Sequence, residues 1–213
     1  LSFELFPPKT EKGLQNLPGT IDHLMKYNPS YISCTYGAGG GNVGANREVC
    51  QMIKNAGTTP VTHFTVIKNT KEGIKEQLDQ YLADGVDHML ALRGDIPLGE
   101  TTTCGDFDYA TDLVKFVRDT YGDKFEIAVA GSPEGHISCR SLESDIAVLK
   151  QKQDNGADYI MTQLCWDMEQ FKYWLDAIRK AGITMPVDVG VMPILDQAAT
   201  INMALSRNGC VMD

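Results

Sequence analysis

The strongest constraint on the fold is a regular alternation of short β-like runs with longer amphipathic stretches. The short runs predict strands near 2–6, 31–35, 60–66, 87–92, 126–130, 157–162 and 187–191. The stretches between and after them have helical periodicity and predict helices near 13–27, 43–56, 71–84, 106–121, 140–155, 168–182 and 196–207. Such alternation is typical of parallel βα units. The even spacing favours a (β/α)8 TIM barrel over an open doubly wound sheet.

Glycines and capping residues stand where this scheme places helix ends. Thr70 and Asp106 precede predicted helices, and we interpret both as N-caps because their side-chain oxygens can accept hydrogen bonds from the first helical turn. Four glycines follow predicted helices, as helix-terminating glycines do: Gly85, Gly122, Gly156 and Gly182.

No linker, low-complexity tract or block of charge divides the 213 residues. We therefore predict one domain over residues 1–213. A TIM barrel has eight strands and typically about 250 residues, which is one βα unit more than this sequence provides. We expect the barrel to lack its last unit here, so that the chain is either a fragment or is closed by a partner.

Composition disfavours several classes of protein. The net charge of −9 does not suit a nucleic-acid partner, which requires a basic face. The six cysteines contain no CxxC pair and the four histidines no HExxH motif, so we expect free thiols and no metal site. With no apolar run of about 20 residues and no signal-peptide pattern at the first residues, we expect a cytoplasmic protein that has no membrane partner.

The first predicted strand carries a carboxylate near its carboxyl end. Strand alternation places Phe3 and Leu5 on one face and Glu4 on the other, pointing into the barrel among apolar neighbours. A carboxyl group is costly to ionise in such surroundings, which suits a general acid. An exposed glutamate on an imperfect strand explains the same residues equally well.

A glycine-rich segment follows the second predicted strand. Gly39, Gly41 and Gly44 have GxGxxG spacing between a strand and a helix. A dinucleotide-binding unit also needs an acidic residue about 20 positions later, but no Asp or Glu occurs between Glu48 and Glu72. We therefore interpret the segment as a flexible active-site loop.

Polar side chains also occur at or after the ends of later strands. His63 lies in the third strand, where a lone histidine is more often a core residue. Arg93, Gly94 and Asp95 follow the fourth strand and suit recognition of a polar ligand, although a surface ion pair in a turn explains them as well. Gln163, after the sixth strand, can donate and accept hydrogen bonds at the edge of a heterocycle.

Five segments carry a resemblance to a known family in their order and spacing: SFELFPPK, SCTYGAGG, ALRGD, VAGSPEGH and TQLCWD. Together they resemble the methylenetetrahydrofolate reductase family, and the resemblance extends from Ser2 to the VMPI segment at 191–194. It implies a TIM barrel that holds FAD and reduces methylenetetrahydrofolate to methyltetrahydrofolate in one-carbon metabolism and methionine biosynthesis.

The resemblance also implies roles for individual residues. Glu4 matches the catalytic glutamate, Asp95 the aspartate near flavin and pterin, and Gln163 a folate-contacting glutamine. Ser132 and Leu164 depart from the family, where many members have tyrosine and phenylalanine. The remaining matches are flavin-contacting positions: Thr35, His63, Arg93, Gly94, Asp95, Tyr109, Ala110, Ala130, His136, Asp145 and Lys152.

The implied chemistry is a ping-pong hydride transfer through FAD, in which one flavin face serves two substrates in turn. The methylene bridge opens to a 5-iminium cation when an acid, Glu4, protonates the departing amine, and the expected electron donor is NADH, NADPH or a reduced protein. A homo-oligomer or an electron-donating partner subunit fits the same residues. Two alternatives stay open, namely a folate-dependent methyltransferase barrel without flavin and a flavin-binding subunit of a larger complex.

Overall fold

A parallel sheet with intervening helices forms the framework of the chain, as seen in a computed structural model. The structure describes residues 1–8, 10–36, 43–96, 99–136, 139–192, 194–198 and 201. Within these residues there are seven strands: β1 Ser2–Leu5, β2 Tyr31–Cys34, β3 Thr59–Thr65, β4 His88–Leu92, β5 Glu126–Gly131, β6 Tyr159–Thr162 and β7 Val187–Asp188. The strands are hydrogen-bonded in sequence order.

Helices connect the successive strands. The helices of the described residues are α1 Glu11–Met25, α2 Val43–Asn55, α3 Lys71–Ala83, α4 Ala110–Tyr121, α5 Leu142–Asp154 and α6 Met168–Lys180, with a 3-10 turn at Gly122–Lys124. All seven predicted strands and the first six predicted helices are confirmed. The seventh, near 196–207, lies largely outside the described residues, as do Gly39 and Gly41 of the glycine-rich segment.

The chain divides into two compact units, Leu1–Ile127 and Ala128–Asp213. In the first unit β1 to β4 pair in parallel, with Glu4 opposite Ser33, Ser33 opposite Val61 and Val61 opposite His88. In the second unit β6 pairs in parallel with β5 and with β7. Because parallel strands end at the same edge of a sheet, residues at their carboxyl ends share that edge.

The two faces of the sheet in the first unit differ in character. Ile32, Phe64 and Met89 are fully buried, and the ring of Phe64 lies 6.3 Å from that of Tyr81 in α3. Alternation places Glu4, Val61 and His63 on the opposite face. The helix-facing side is thus an apolar core, whereas the other side presents polar groups near the carboxyl edge.

One predicted cap is confirmed and the other is wrong. Thr70 accepts a hydrogen bond of 3.1 Å from the backbone of Gly73 at the start of α3. Asp106 does not begin α4, because its carboxylate accepts a 2.9 Å hydrogen bond from the Lys71 backbone and so caps α3 as well. Helix α4 begins instead at Ala110, after Tyr109, whose backbone donates to Asp112 at 2.9 Å.

Strand β7 ends earlier than the predicted 187–191. The backbone N–H of Gly190 donates to the Thr162 hydroxyl at 2.9 Å, and a Cβ atom at Gly190 would lie 2.5 Å from the Thr162 carbonyl oxygen. Gly190 therefore lies against the end of β6, and β7 ends at Asp188. Among the described residues no helix is both long and apolar enough to cross a membrane.

Candidate functional site

Glu4 and His63 meet on one face of the sheet in the first unit. Glu4 is the third of the four residues of β1. Its Oε2 atom lies 3.4 Å from Nε2 of His63 in β3. The Glu4 side chain is 45% exposed and that of His63 only 9%. The expectation that Glu4 lies among apolar neighbours was therefore wrong, since its carboxylate is exposed to solvent and faces an imidazole.

Two buried polar atoms of β3 lack a hydrogen-bond partner within the described part of the chain: Nε2 of His63 and Oγ1 of Thr65. His63 and Glu4 are close enough for an ion pair, but the angle at the imidazole nitrogen does not meet the requirement for a hydrogen bond. Leaving a buried polar group unpaired costs about 1–3 kcal/mol. Such atoms at the carboxyl edge of a parallel sheet are typical of a ligand site.

The backbone at Gly94 packs closely against the end of β3 and the residues that follow it. It has a φ of +84°, and a Cβ atom there would lie 2.5 Å from Cγ1 of Ile67 and 3.1 Å from Cβ of Thr65. Only glycine fits this backbone. Arg93 donates from Nε to the Gly94 carbonyl oxygen at 3.2 Å, and Asp95 is exposed three residues beyond β4. The tight turn therefore places Asp95 at the carboxyl edge of the sheet, where Glu4 also lies.

Asn46 of α2 is a buried hydrogen-bonding hub that the sequence analysis missed. Its Nδ2 donates to the carbonyl oxygens of Cys34 and Thr35 at 3.0 and 3.2 Å. Its Oδ1 accepts from Thr62 at 2.8 Å and from Tyr81 at 2.7 Å. Burial raises the pKa of the Tyr81 hydroxyl, which keeps it a donor. A signal was present in the sequence, because Asn46 continues the buried stripe of α2 formed by Val49, Cys50 and Ile53.

Three other predicted residues of the first unit differ in exposure. Thr35 is half-buried just after β2, and its backbone donates to the Leu5 carbonyl at 2.9 Å. Tyr109 is 61% exposed, whereas Ala110 is buried at the first position of α4. The structure places Thr35 at the carboxyl edge and leaves the ring of Tyr109 accessible.

In the second unit, four predicted residues cluster at the end of β5. Lys152 donates from Nζ to the Ala130 carbonyl at 3.0 Å, and the His136 backbone donates to Asp145 at 3.3 Å. Burial lowers the pKa of the Lys152 ammonium, while Asp145 and Cys139 oppose that shift. An anionic group bound beside Lys152 would favour the charged form of this side chain, which burial disfavours.

Gln163 follows β6 in the same unit. Its backbone N–H donates to the Gly131 carbonyl at 2.8 Å, and its Oε1 accepts from the Leu164 backbone at 3.0 Å. The half-buried side chain is thus held at the end of the strand. Leu164 and Ser132, which depart from the family resemblance, are half-buried as well.

A buried carboxylate oxygen in the loop after β5 was also missed. Oε2 of Glu134 has no hydrogen-bond partner among the described residues. Burial, and then the charge of Glu134, raise the pKa of the Cys165 thiol to about 11. The thiol is therefore protonated at neutral pH. In the described ranges no group of three His, Cys, Asp or Glu side chains could hold a metal ion.

Comparison with known proteins identifies the family. The sequence profile described as methylenetetrahydrofolate reductase matches residues 1–207. The chain belongs to the methylenetetrahydrofolate reductase family. "Methylenetetrahydrofolate reductase (NADH) 1" of Arabidopsis thaliana is 38% identical over 216 residues, which cover 95% of this chain and 36% of the plant protein. The Escherichia coli 5,10-methylenetetrahydrofolate reductase is 34% identical over 195 residues, covering 91% of this chain and 64% of that protein.

The family relatives are longer than the matched region. This chain spans about a third of the plant relative and under two thirds of the bacterial one. Among solved structures, a Clostridium thermocellum protein described as binding two copies of 5-methyl-5,6,7,8-tetrahydrofolic acid has a TM-score of 0.74 at 14% identity, covering 100% of this chain and 72% of that one. A 2,3-dimethylmalate lyase gives 0.59 at 11% identity, covering 100% and 83%. These two similarities concern the fold.

Proposed function

We propose that this protein reduces 5,10-methylenetetrahydrofolate to 5-methyltetrahydrofolate by a ping-pong reaction with FAD, and that Glu4 is the general acid. Family membership over residues 1–207 supports the reaction. The observation that carries the role of Glu4 is its position at the carboxyl edge of the sheet, 45% exposed and with one oxygen against His63. A second carboxylate oxygen is therefore available to a substrate.

The proposed role of Glu4 follows from the chemistry of the substrate. The methylene bridge must open to a 5-iminium cation before it accepts a hydride, and the departing amine must take up a proton. A positioned carboxylic acid contributes about 10²- to 10⁴-fold to such a step. Asp95, exposed after β4, would stabilise the positive charge that develops on the folate, and Gln163 would hydrogen-bond the edge of the pterin.

The residues present fit a flavin with its pyrophosphate. The unpaired Oγ1 of Thr65 can hydrogen-bond a polar ring, and the buried Lys152 side chain beside Asp145 suits a phosphate. When bound, FAD supplies hydride chemistry, with NADH, NADPH or a reduced protein as donor. The proposed FAD-contacting set is Thr35, His63, Arg93, Gly94, Asp95, Tyr109, Ala110, Ala130, His136, Asp145 and Lys152.

The proposal extends to the architecture and setting of the protein. We propose that the chain is one flavin- and folate-binding domain of (β/α)8 type, which the sequential order of its seven parallel strands supports. The same proposal assigns the reaction to one-carbon metabolism and methionine biosynthesis in the cytoplasm, and the family match supports its folate chemistry.

The test of this function separates the two half-reactions. Glu4→Gln keeps size and hydrogen bonding but cannot deliver a proton, so folding and FAD binding should survive. Stopped-flow absorbance of the flavin follows each half-reaction by itself. Flavin reduction by the competent donor should stay within about tenfold of wild type, a barrier change of roughly 1.4 kcal/mol or less. Reoxidation by methylenetetrahydrofolate should slow by about 10² or more.

A matched control is available at another glutamate–histidine contact. Glu126 of β5 lies 3.1 Å from Nε2 of His88, and its side chain is 53% exposed. Glu126→Gln makes the same chemical change at the amino end of its strand, so both half-reactions should keep their wild-type rates. Folate reduction by Glu4→Gln at a near wild-type rate would show that Glu4 is not the acid.

A further inference from the structure

We infer that His63 is a positioning residue for Glu4, which holds one carboxylate oxygen so that the other faces the substrate. This role differs from the flavin contact that family resemblance implies for His63, and it rests on the proposed function of Glu4. The geometry of β1, β2 and β3 supports it independently of any bound ligand.

The strand register brings the two side chains together across β2. Glu4 pairs with Ser33 and Ser33 with Val61, and His63 is two residues beyond Val61 on the same face. Oε2 of Glu4 and Nε2 of His63 are consequently 3.4 Å apart. The register of the three strands therefore brings the two side chains within reach of each other.

The two partners are unequally restrained. The Glu4 side chain is 45% exposed, whereas that of His63, the fifth of the seven residues of β3, is 9% exposed. An exposed glutamate samples many rotamers, and fixing it carries a cost in conformational entropy. A buried imidazole is already ordered, so its N–H can orient the carboxyl group at little further cost.

The imidazole has no competing partner in the described part of the chain, where Nε2 of His63 makes no hydrogen bond. Catalytic hydrogen bonds are often long or poorly aligned without substrate and tighten in the complex. We expect the 3.4 Å contact to do so when folate covers Glu4, because the carboxyl group then loses its contact with water.

The test compares two substitutions of His63. His63→Gln keeps an N–H donor of similar reach, whereas His63→Leu removes it. We expect His63→Leu to slow flavin reoxidation by methylenetetrahydrofolate by about tenfold or more, the scale that misorientation of a catalytic group produces, and His63→Gln to recover most of that rate. In the Glu4→Gln background, His63→Leu should cause no further loss.

The control is His88→Leu. His88 lies on the same sheet face at the amino end of β4 and also contacts carboxylates, at 2.6 Å from Asp87 and 3.1 Å from Glu126. Its replacement should leave the folate half-reaction unchanged. Circular dichroism and the FAD dissociation constant, measured for every variant, separate misfolding and lost flavin contact from misplacement of Glu4.

A spectroscopic measurement tests the contact without catalysis. In ¹⁵N-labelled protein, Glu4→Gln should shift the imidazole nitrogen resonances of His63 and leave those of His88 in place, and Glu126→Gln should do the reverse. Unshifted His63 resonances in Glu4→Gln would overturn the inference. The inference would also be overturned if His63→Leu slowed flavin reoxidation by the same factor in the Glu4→Gln background as in the wild type. If Glu4→Gln itself reduces folate normally, the proposed function fails instead.

Discussion

A Cβ atom on Gly94 would lie 2.5 Å from Cγ1 of Ile67, a separation that real side chains do not tolerate. Gly94 stands between Arg93 and Asp95, so the backbone that presents these two charged residues is held against the end of β3 by packing. The turn is therefore part of the fold itself.

Gly94→Ala should destabilise the protein and displace Asp95. An alanine at a φ of +84° costs roughly 1–2 kcal/mol, and overpacking against Ile67 adds roughly 1–3 kcal/mol. Urea unfolding measures the sum. Gly99→Ala is the matched control, because Gly99 has a φ of +89° but no atom within 4 Å of the added Cβ. Equal losses in the two variants would show that packing against Ile67 contributes nothing.

Lys152→Met should weaken FAD binding and change how stability depends on pH. Burial lowers the folded-state pKa of Lys152 below its ordinary 10.5. Between the folded-state pKa and 10.5 the unfolded chain binds more protons, so the wild type gains stability as pH rises through that window. The methionine variant lacks this gain, so its stability relative to wild type should be highest near neutral pH and fall towards pH 10.5.

Urea unfolding at pH 7, 9 and 10 checks the trend, and a flat difference would contradict it. The control is Lys150→Met on the same helix, where the ammonium pairs with Asp154 and an exposed ion pair contributes about 0–1 kcal/mol. Fluorescence titration with FAD measures whether flavin binding is weaker in Lys152→Met, and the same titration is applied to His136→Ala. Unchanged flavin affinity in both Lys152→Met and His136→Ala would remove these residues from the proposed site.

Asn46→Asp should strongly destabilise the protein. The carboxylate cannot donate to the carbonyl oxygens of Cys34 and Thr35, which Nδ2 reaches at 3.0 and 3.2 Å, and a fully buried charge is left unpaired. A loss of about 3–5 kcal/mol is expected. Tyr81→Phe removes a single hydrogen bond to Oδ1, so it should cost only about 1 kcal/mol. Thermal unfolding of both variants measures whether Asn46→Asp loses more stability than Tyr81→Phe.

Prediction from the sequence succeeded where the cause is local. The alternation of apolar runs places the seven strands and first six helices, and Thr70 caps α3 as its position before Lys71 indicates. It failed at Asp106, whose carboxylate binds the backbone of Lys71, 35 positions earlier. No local pattern reports which distant N–H group a side chain will meet.

The candidate site shows the same division. The sequence alone determined which polar residues stand at strand ends, because strand period and parallel pairing follow from side-chain size and hydrophobicity. Only the tertiary structure decided that Glu4 is exposed and faces His63, that Asn46 joins α2 to the end of β2, and that Gly94 packs on Ile67. These contacts join residues 12 to 59 positions apart, and such distances are set by the register of neighbouring strands and the packing of helices on them.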